Sequence, residues 1–147
     1  MAEKRSTKEM LQALQSQGVQ DWVVLIVDDD PDNLELACFI LTWQQATVHT
    51  ALDGQEGLEL LQKIKPNLIL LDLSMPNLDG WAMIEQIRNM PHTAQTPVIA
   101  LTAHAMETDR YRAENAGFDG YITKPFRISG FVGGIYDCVS RTMSAGV

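Results

Sequence analysis

The chain has 147 residues, 46% of them hydrophobic and 20% charged, which is typical of one folded domain that needs neither disulfides nor structural metals. Its eleven basic and nineteen acidic residues give a formal charge of -8 at pH 7, and without a basic patch this charge argues against nucleic acid and anionic lipid as ligands. Two separated cysteines, no apolar run of membrane-spanning length and no signal peptide predict a cytoplasmic protein with no membrane segment.

The first twenty residues stand apart from the pattern of the rest of the chain. Met10, Leu11 and Leu14 recur at helical spacing, and Gly18 is of a type that commonly ends a helix. We therefore expect residues 1–20 to be an N-terminal extension, either one helix or a linker, ahead of a domain that spans residues 21–147.

The domain opens with two strands that alternate with two helices. Residues 23–27 are apolar without alternation, which favours a strand covered on both faces. A helix capped by Asp30 is predicted next. A weaker strand is predicted over residues 46–51, followed by a helix that is capped by Asp53 and stops before Pro66.

The same alternation continues to the end of the chain. Apolar runs at 68–71 and 98–101 predict two more buried strands, and a weaker fifth strand is predicted over residues 119–123. Three further helices are predicted at about 79–91, 106–116 and 126–143. Five strands joined by helical crossovers indicate an α/β fold, a doubly wound parallel sheet with helices on both faces.

Polar residues stand at the carboxyl ends of the predicted strands, where parallel α/β sheets bind their ligands. Asp28 and Asp29 follow the first strand, Asp72 the third, Thr102 the fourth and Lys124 the fifth. Because parallel strands end at one edge of the sheet, we expect these carboxylates, the hydroxyl and the ammonium to lie together.

The predicted carboxylate cluster indicates metal-dependent phosphate chemistry. Clustered carboxylates repel, so a cation or a proton must offset their charge. Oxygen ligands beside one lysine favour Mg²⁺, with Mn²⁺ as the alternative. A carboxylate in such a site can itself be the nucleophile and form an aspartyl phosphate. Asp72 is the candidate, because it ends a central strand between Asp28 and Thr102.

Four segments of the chain resemble the receiver domain of two-component response regulators, of the CheY-like type. They are LIVDDDP at 25–31, LILLDLSMPNLDG at 68–80, VIALTA at 98–103 and GYITKPF at 120–126. The resemblance extends from about Val23 to Met143. It implies five strands in the flavodoxin-like order 2-1-3-4-5 and a role in a phosphorelay.

The resemblance also implies a role for each strand-end residue. Asp72 would accept a phosphoryl group from a histidine kinase or a histidine phosphotransfer protein in a Mg²⁺-dependent reaction. Asp29, Asp72 and the backbone carbonyl of Ser74 would bind the ion, and Asp28 would act through a bound water. Lys124 would pair with the phosphoryl group.

Thr102 and Tyr121 match the switch pair of that family. The hydroxyl would move toward the phosphoryl group and the ring would swing inward behind it, which changes the surface of the last two helices and the strand between them. The partner at that surface is unidentified, and a phosphorylation-dependent homodimer is left open. The sequence also leaves open whether the chain acts alone or belongs to a larger hybrid protein.

Three other readings compete with the receiver. A phosphohydrolase of the haloacid dehalogenase type would use Asp72 on phosphoesters, but it usually has an acid where this chain has Ser74. A flavodoxin-like FMN binder would need Ser, Thr and Gly in its first loop, where this chain has DDDPDN. A pseudo-receiver would lack the intact acidic set. We therefore expect a signalling domain whose only chemistry is self-phosphorylation and self-dephosphorylation.

Overall fold

Five β-strands alternate with five α-helices in a computed structural model, which describes residues 18–75, 78–103, 107–124, 127 and 129–145. A short 3-10 turn at Val19–Asp21 precedes them. The strands are β1 (Val23–Val27), β2 (Thr47–Ala51), β3 (Leu68–Asp72), β4 (Val98–Thr102) and β5 (Gly120–Thr123). The helices are α1 (Pro31–Trp43), α2 (Gly54–Leu61), α3 (Gly80–Asn89), α4 (Glu107–Ala116) and α5 (Phe131–Ala145).

The strands form one parallel sheet in the order β2-β1-β3-β4-β5. This confirms both the predicted fold class and the predicted strand order. The first strand in sequence lies inside the sheet, so the order reverses between β1 and β3. Ligands of doubly wound sheets bind at such a reversal, beyond the carboxyl ends of the strands.

Helices cover both faces of the sheet, which explains why the central strands are apolar without alternation. Val24 and Ile26 of β1 face a core that includes Leu41 of α1 and Ile135 of α5. Leu25 and Val27 face the opposite core, which includes side chains of α2, α3 and α4. Every residue of β3 and β4 is buried.

Aspartate caps begin the three helices that follow β1, β2 and β3. The Asp30 side chain accepts a hydrogen bond from the backbone N–H of Asp32, and Asp53 accepts one from Glu56. Asp79 caps α3 in the same way. The two caps predicted at Asp30 and Asp53 are therefore present, and they fix where the chain turns from each strand end into its helix.

The start of the last helix differs from the sequence-based expectation. The last helix begins at Phe131, five residues after the predicted start, because Gly130 lies in a turn in which its N–H bonds to the carbonyl of Arg127. The helix expected within residues 1–20 falls on residues 1–17, which lie outside the described part of the chain.

Among the residues described, no helix combines the length and apolar character needed to cross a bilayer.

Gly133→Ala is expected to stabilise the protein. Gly133 lies in the first turn of α5, is exposed, and a Cβ added there would meet no atom within 4 Å. Alanine should therefore raise the free energy of unfolding by about 0.5–1 kcal/mol, because it restricts the unfolded chain and favours the helix. Urea unfolding measures this change.

Gly120→Ala is the matched control. A Cβ at Gly120 would lie 2.7 Å from the Cβ of Cys138, so the same substitution should destabilise the protein there. A Gly133→Ala variant that is less stable than the wild type would show that the start of α5 needs glycine for another reason.

Candidate phosphoryl-transfer site

Three carboxylates meet at the carboxyl edge of the sheet. Asp28 follows β1 and is fully buried, whereas Asp72 ends the neighbouring β3 and is 3% exposed. Asp29 is exposed beside them. One carboxylate oxygen from each residue lies within 4.8 Å of the others. The structure thus brings together the acidic residues that the sequence predicted at one edge.

Lys124 reaches the same cluster from the end of β5. Its Nζ lies 3.0 Å from Oδ2 of Asp28 and 3.2 Å from Oδ2 of Asp72. The backbone N–H of Lys124 donates to the carbonyl of Thr102 at 2.7 Å, which extends the pairing of β4 with β5 by one residue. The ammonium is therefore held between two carboxylates by a backbone that is itself fixed.

Backbone N–H groups orient the other oxygen of each buried carboxylate. Oδ1 of Asp28 accepts a hydrogen bond from the N–H of Asp30 at 2.9 Å. Oδ1 of Asp72 accepts one from the N–H of Ser74 at 3.2 Å. Both carboxylates thus have one oxygen on the backbone and one facing Lys124, which fixes their orientation before any ligand binds.

Burial and repulsion disturb the protonation of the cluster. Burial, together with the charge of Asp28, raises the pKa of Asp72 from 3.8 to about 7, although Lys124 and the N–H of Ser74 act in the opposite direction. Burial would lower the pKa of Lys124, but the hydrogen bond to Asp28 and the charges of both aspartates outweigh it and raise that pKa. Lys124 alone does not neutralise the cluster.

The cluster fits a hard divalent cation. When all three carboxylates are ionised, the single ammonium leaves two negative charges in the cluster, and all the available ligand atoms are oxygens. Exposed Asp29 leaves one side open to water and to a ligand. Mg²⁺ prefers such a set of a few carboxylates with several remaining positions.

Thr102 and Tyr121 lie on the neighbouring strands β4 and β5. Thr102 ends β4 and is buried, one residue beyond Leu101, which pairs with Asp72. Tyr121 is half-buried on β5, and the guanidinium of Arg110 lies over its ring, 4.9 Å from the centroid. This contact was not foreseen, because the periodicity of α4 gives no sign of which side chain reaches β5.

Gly80 is a second residue that the sequence pattern did not single out for the site. Its N–H donates to the carbonyl of Leu73 at 3.2 Å. A Cβ at this position would collide with the carbonyl oxygen of Asp72 and lie 2.8 Å from Cα of Leu73. Glycine therefore allows the first turn of α3 to press against the strand end that carries Asp72.

Comparisons with known proteins agree with this geometry. A family model for the response regulator receiver domain matches residues 24–135. An uncharacterised 14.6 kDa protein of Leptolyngbya boryana is 43% identical over 102 residues, which cover 69% of this chain and 78% of that protein. The DNA-binding dual master transcriptional regulator RpaA of Synechocystis is 34% identical over 119 residues, 81% of this chain. These residues span 49% of RpaA.

A solved structure shows the same fold around a metal. The receiver domain of the sensor histidine kinase PA1611 from Pseudomonas aeruginosa superposes with a TM-score of 0.70 and 28% identity, covering 84% of this chain and 98% of that one. That neighbour has a magnesium ion coordinated in its active site cleft. The structure thus places the predicted acidic residues and Lys124 together in a fold that can hold magnesium.

Proposed function

Because the chain belongs to the response regulator receiver family, we propose that Asp72 is the residue that accepts its phosphoryl group. The protein is a signalling receiver rather than a classical enzyme, and it accepts a phosphoryl group in a phosphorelay. Receiver domains interact with histidine kinases or phosphotransfer proteins.

The position of Asp72 carries the proposal. Its carboxylate ends a central strand, 3.2 Å from Lys124 Nζ and beside Asp28 and Asp29. Asp28 has its own oxygens directed to the N–H of Asp30 and to Lys124. Asp29 is exposed, and within the described residues it makes no ion pair with a lysine. Asp72 therefore combines a buried oxygen, a cation in contact and metal ligands on one side.

Transfer is a nucleophilic displacement at phosphorus. An oxygen of the Asp72 carboxylate attacks the phosphorus of a phosphohistidine, the P–O bond forms, and the P–N bond breaks. The imidazole leaves with the electron pair of that bond and takes up a proton from water. Lys124 Nζ lies 3.2 Å from Oδ2 of Asp72, so its ammonium can move from the carboxylate to a phosphoryl oxygen. Hydrolysis then breaks the same P–O bond and releases inorganic phosphate.

Mg²⁺ is the ion that we assign to the acidic cluster, with Mn²⁺ as the alternative. Asp29 and Asp72 would hold it directly with the backbone carbonyl of Ser74, and Asp28 would act through a bound water. When bound, the ion supplies positive charge that offsets the repulsion between the carboxylates and the incoming phosphoryl oxygens. Buried Asp28 keeps its bond to Lys124 in this arrangement.

Thr102 and Tyr121 are proposed to transmit the phosphorylation of Asp72 to the protein surface. A phosphoryl group on Asp72 offers new acceptor oxygens near the end of β4, and the Thr102 hydroxyl can donate to one of them. The volume that Thr102 vacates can then be taken by the ring of Tyr121. Because Arg110 stacks on that ring, an inward ring would give up this contact and alter α4.

The mass of the intact protein tests the acceptor. Incubation with acetyl phosphate and Mg²⁺ should add one phosphoryl group to the wild type, and chelation of the metal should prevent the addition. Asp72→Asn should abolish the adduct, because the amide cannot supply the attacking oxygen. An adduct of equal yield in Asp72→Asn would overturn the assignment.

Asp30→Asn provides the matched control in the neighbouring loop. The Asp30 carboxylate caps α1 by accepting from the N–H of Asp32 at 2.9 Å, and asparagine is an equally good cap. The adduct should therefore form in Asp30→Asn as in the wild type. Loss of the adduct in both variants would mean that removing one acidic charge near the site is enough to stop the reaction, and the loss in Asp72→Asn would then not support Asp72 as the acceptor.

A further inference from the structure

The outward face of α1 carries an exposed aromatic pair. Phe39 and Trp43 are 52% and 78% exposed, and their ring centroids lie 6.1 Å apart. Together with Ile40 and Gln44 they line a shallow cavity of about 270 Å³. Grouped exposed aromatic side chains of this kind are typical of a contact surface rather than of open solvent.

The same face becomes acidic toward the start of α1. Asp32 and Glu35 are exposed, and their spacing of three, four and four residues places them in line with Phe39 and Trp43. We call these four residues the α1 outer strip. α1 contains no lysine or arginine, so the strip favours an occupant that is apolar at one end and basic at the other.

The described part of the chain begins at the edge of the sheet where α1 ends. The N–H of Thr47 donates to the carbonyl of Trp22 at 2.9 Å, and Thr47 comes only four residues after Trp43. Val19–Asp21 form a single 3-10 turn. Because Val23 pairs with Thr47, β1 starts at the sheet edge where α1 ends, and Gly18, to which residues 1–17 are joined, precedes β1 at that edge.

Residues 1–17 have the composition that the strip favours. Met10, Leu11 and Leu14 recur at helical spacing in the half nearest to Gly18. The half farther away holds three basic residues and two acidic ones in a chain whose overall charge is -8. As a helix the segment would be about 25 Å long at about 1.5 Å per residue, enough to lie along α1.

We propose that residues 1–17 dock as an amphipathic helix on the α1 outer strip, parallel to α1. With Gly18 beside Trp43, Leu14 comes level with Phe39 and packs on the aromatic pair, and Leu11 lies one turn nearer to the acidic end of the strip. Lys8 then comes level with Asn33, between Asp32 and Glu35. The proposal rests on packing and charge and is independent of the phosphoryl chemistry at Asp72.

A tethered segment has an advantage over any other occupant of this strip. Its local concentration beside α1 is on the order of millimolar, because a short connection joins it to β1. A second copy of the chain would have to bring together two molecules that each carry a charge of -8, which repel one another. The N-terminal segment is therefore the occupant that we test.

Fluorine NMR of the full chain labelled with 5-fluorotryptophan tests the docking. The Trp43 signal is assigned with Trp43→Phe, and Trp22, which is 1% exposed, serves as the buried reference. A soluble gadolinium chelate broadens exposed signals. We expect Trp43 to be protected in the wild type and to broaden several-fold more in Leu11→Asp/Leu14→Asp.

Gln12→Asp/Ser16→Asp is the control, because it adds the same charge on the opposite face of the predicted helix and should leave Trp43 protected. Equal, strong broadening of Trp43 in the wild type and in Leu11→Asp/Leu14→Asp would overturn the proposal. Protection that survives Leu11→Asp/Leu14→Asp but disappears on dilution would identify a second copy as the occupant and would also overturn it.

Discussion

Asp72→Asn is expected to make the metal-free protein more stable at pH 8, by about 2–4 kcal/mol in the free energy of unfolding. The rise in the pKa of Asp72 from 3.8 to about 7 measures how unfavourable its charge is in the folded state. At about 1.36 kcal/mol for each pKa unit, the full rise corresponds to about 4 kcal/mol. Asparagine fills nearly the same volume without the charge.

The pH dependence of this effect has a definite sign. Between pH 3.8 and about 7, the folded wild type keeps a proton on Asp72 that the unfolded chain has lost. Stability from this group is therefore complete at low pH and falls as the pH rises through that window. The advantage of Asp72→Asn should rise about 2.5-fold between pH 5 and pH 8.

Urea unfolding in a metal chelator at both pH values measures the effect. Added Mg²⁺ should shrink the difference, because the ion binds the wild-type carboxylates and stabilises the folded state by mass action. Asp53→Asn, at the cap of α2, is the control without a buried cluster. An Asp72→Asn advantage that is the same at pH 5 and pH 8 would contradict the electrostatic explanation.

Much of the fold could be predicted because its central strands are continuous apolar runs in the sequence. The apolar runs at 23–27, 68–71 and 98–101 differ from the observed strands by one residue at most, since both faces of these strands are buried. The start of α5 could not be located in the same way. Arg127 and Gly130 form a turn there, and the apolar residues nearby continue a helical pattern with no local stop.

The sequence also predicted which residues meet at the site, but it did not predict the side-chain contacts around them. Parallel strands that end at one edge bring Asp28, Asp72 and Lys124 together whatever their side-chain angles. The stacking of Arg110 on Tyr121 depends on the reach of a long side chain between two elements. Such contacts are set by packing, for which the spacing along the chain carries no signal.

Arg88 is the clearest case of a contact that no sequence pattern revealed. Its guanidinium, at the end of α3, donates to the carbonyls of Gly117 at 2.8 and 3.0 Å and of Thr96 at 2.6 Å. It also pairs with Asp119 at 2.9 Å, and the same oxygen of Asp119 accepts from the N–H of Val98. One side chain thus joins α3 to the segments that begin β4 and β5.

Arg88→Met is expected to lower the free energy of unfolding by about 3–5 kcal/mol, because removal of one partner leaves the other charge buried. Burial shifts the pKa of both Arg88 and Asp119. Burial lowers the pKa of Arg88 against the opposing effect of Asp119, and burial raises the pKa of Asp119 against that of Arg88. The carbonyls of Thr96 and Gly117 would also lose their donor. Urea unfolding at pH 7 measures the loss.

The double variant Arg88→Met/Asp119→Asn separates the ion pair from the carbonyl contacts. If the unpaired Asp119 charge causes most of the loss, the double variant should be less destabilised than the sum of the two single variants. Arg88→Lys should fall between the wild type and Arg88→Met, because it keeps the charge and loses the fork of donors. The fraction that stays folded should still take up a phosphoryl group, since Arg88 makes none of the contacts described at Asp72. A loss below about 1 kcal/mol in Arg88→Met would contradict this prediction, because it would show that the Arg88–Asp119 pair contributes no more than an ordinary surface ion pair.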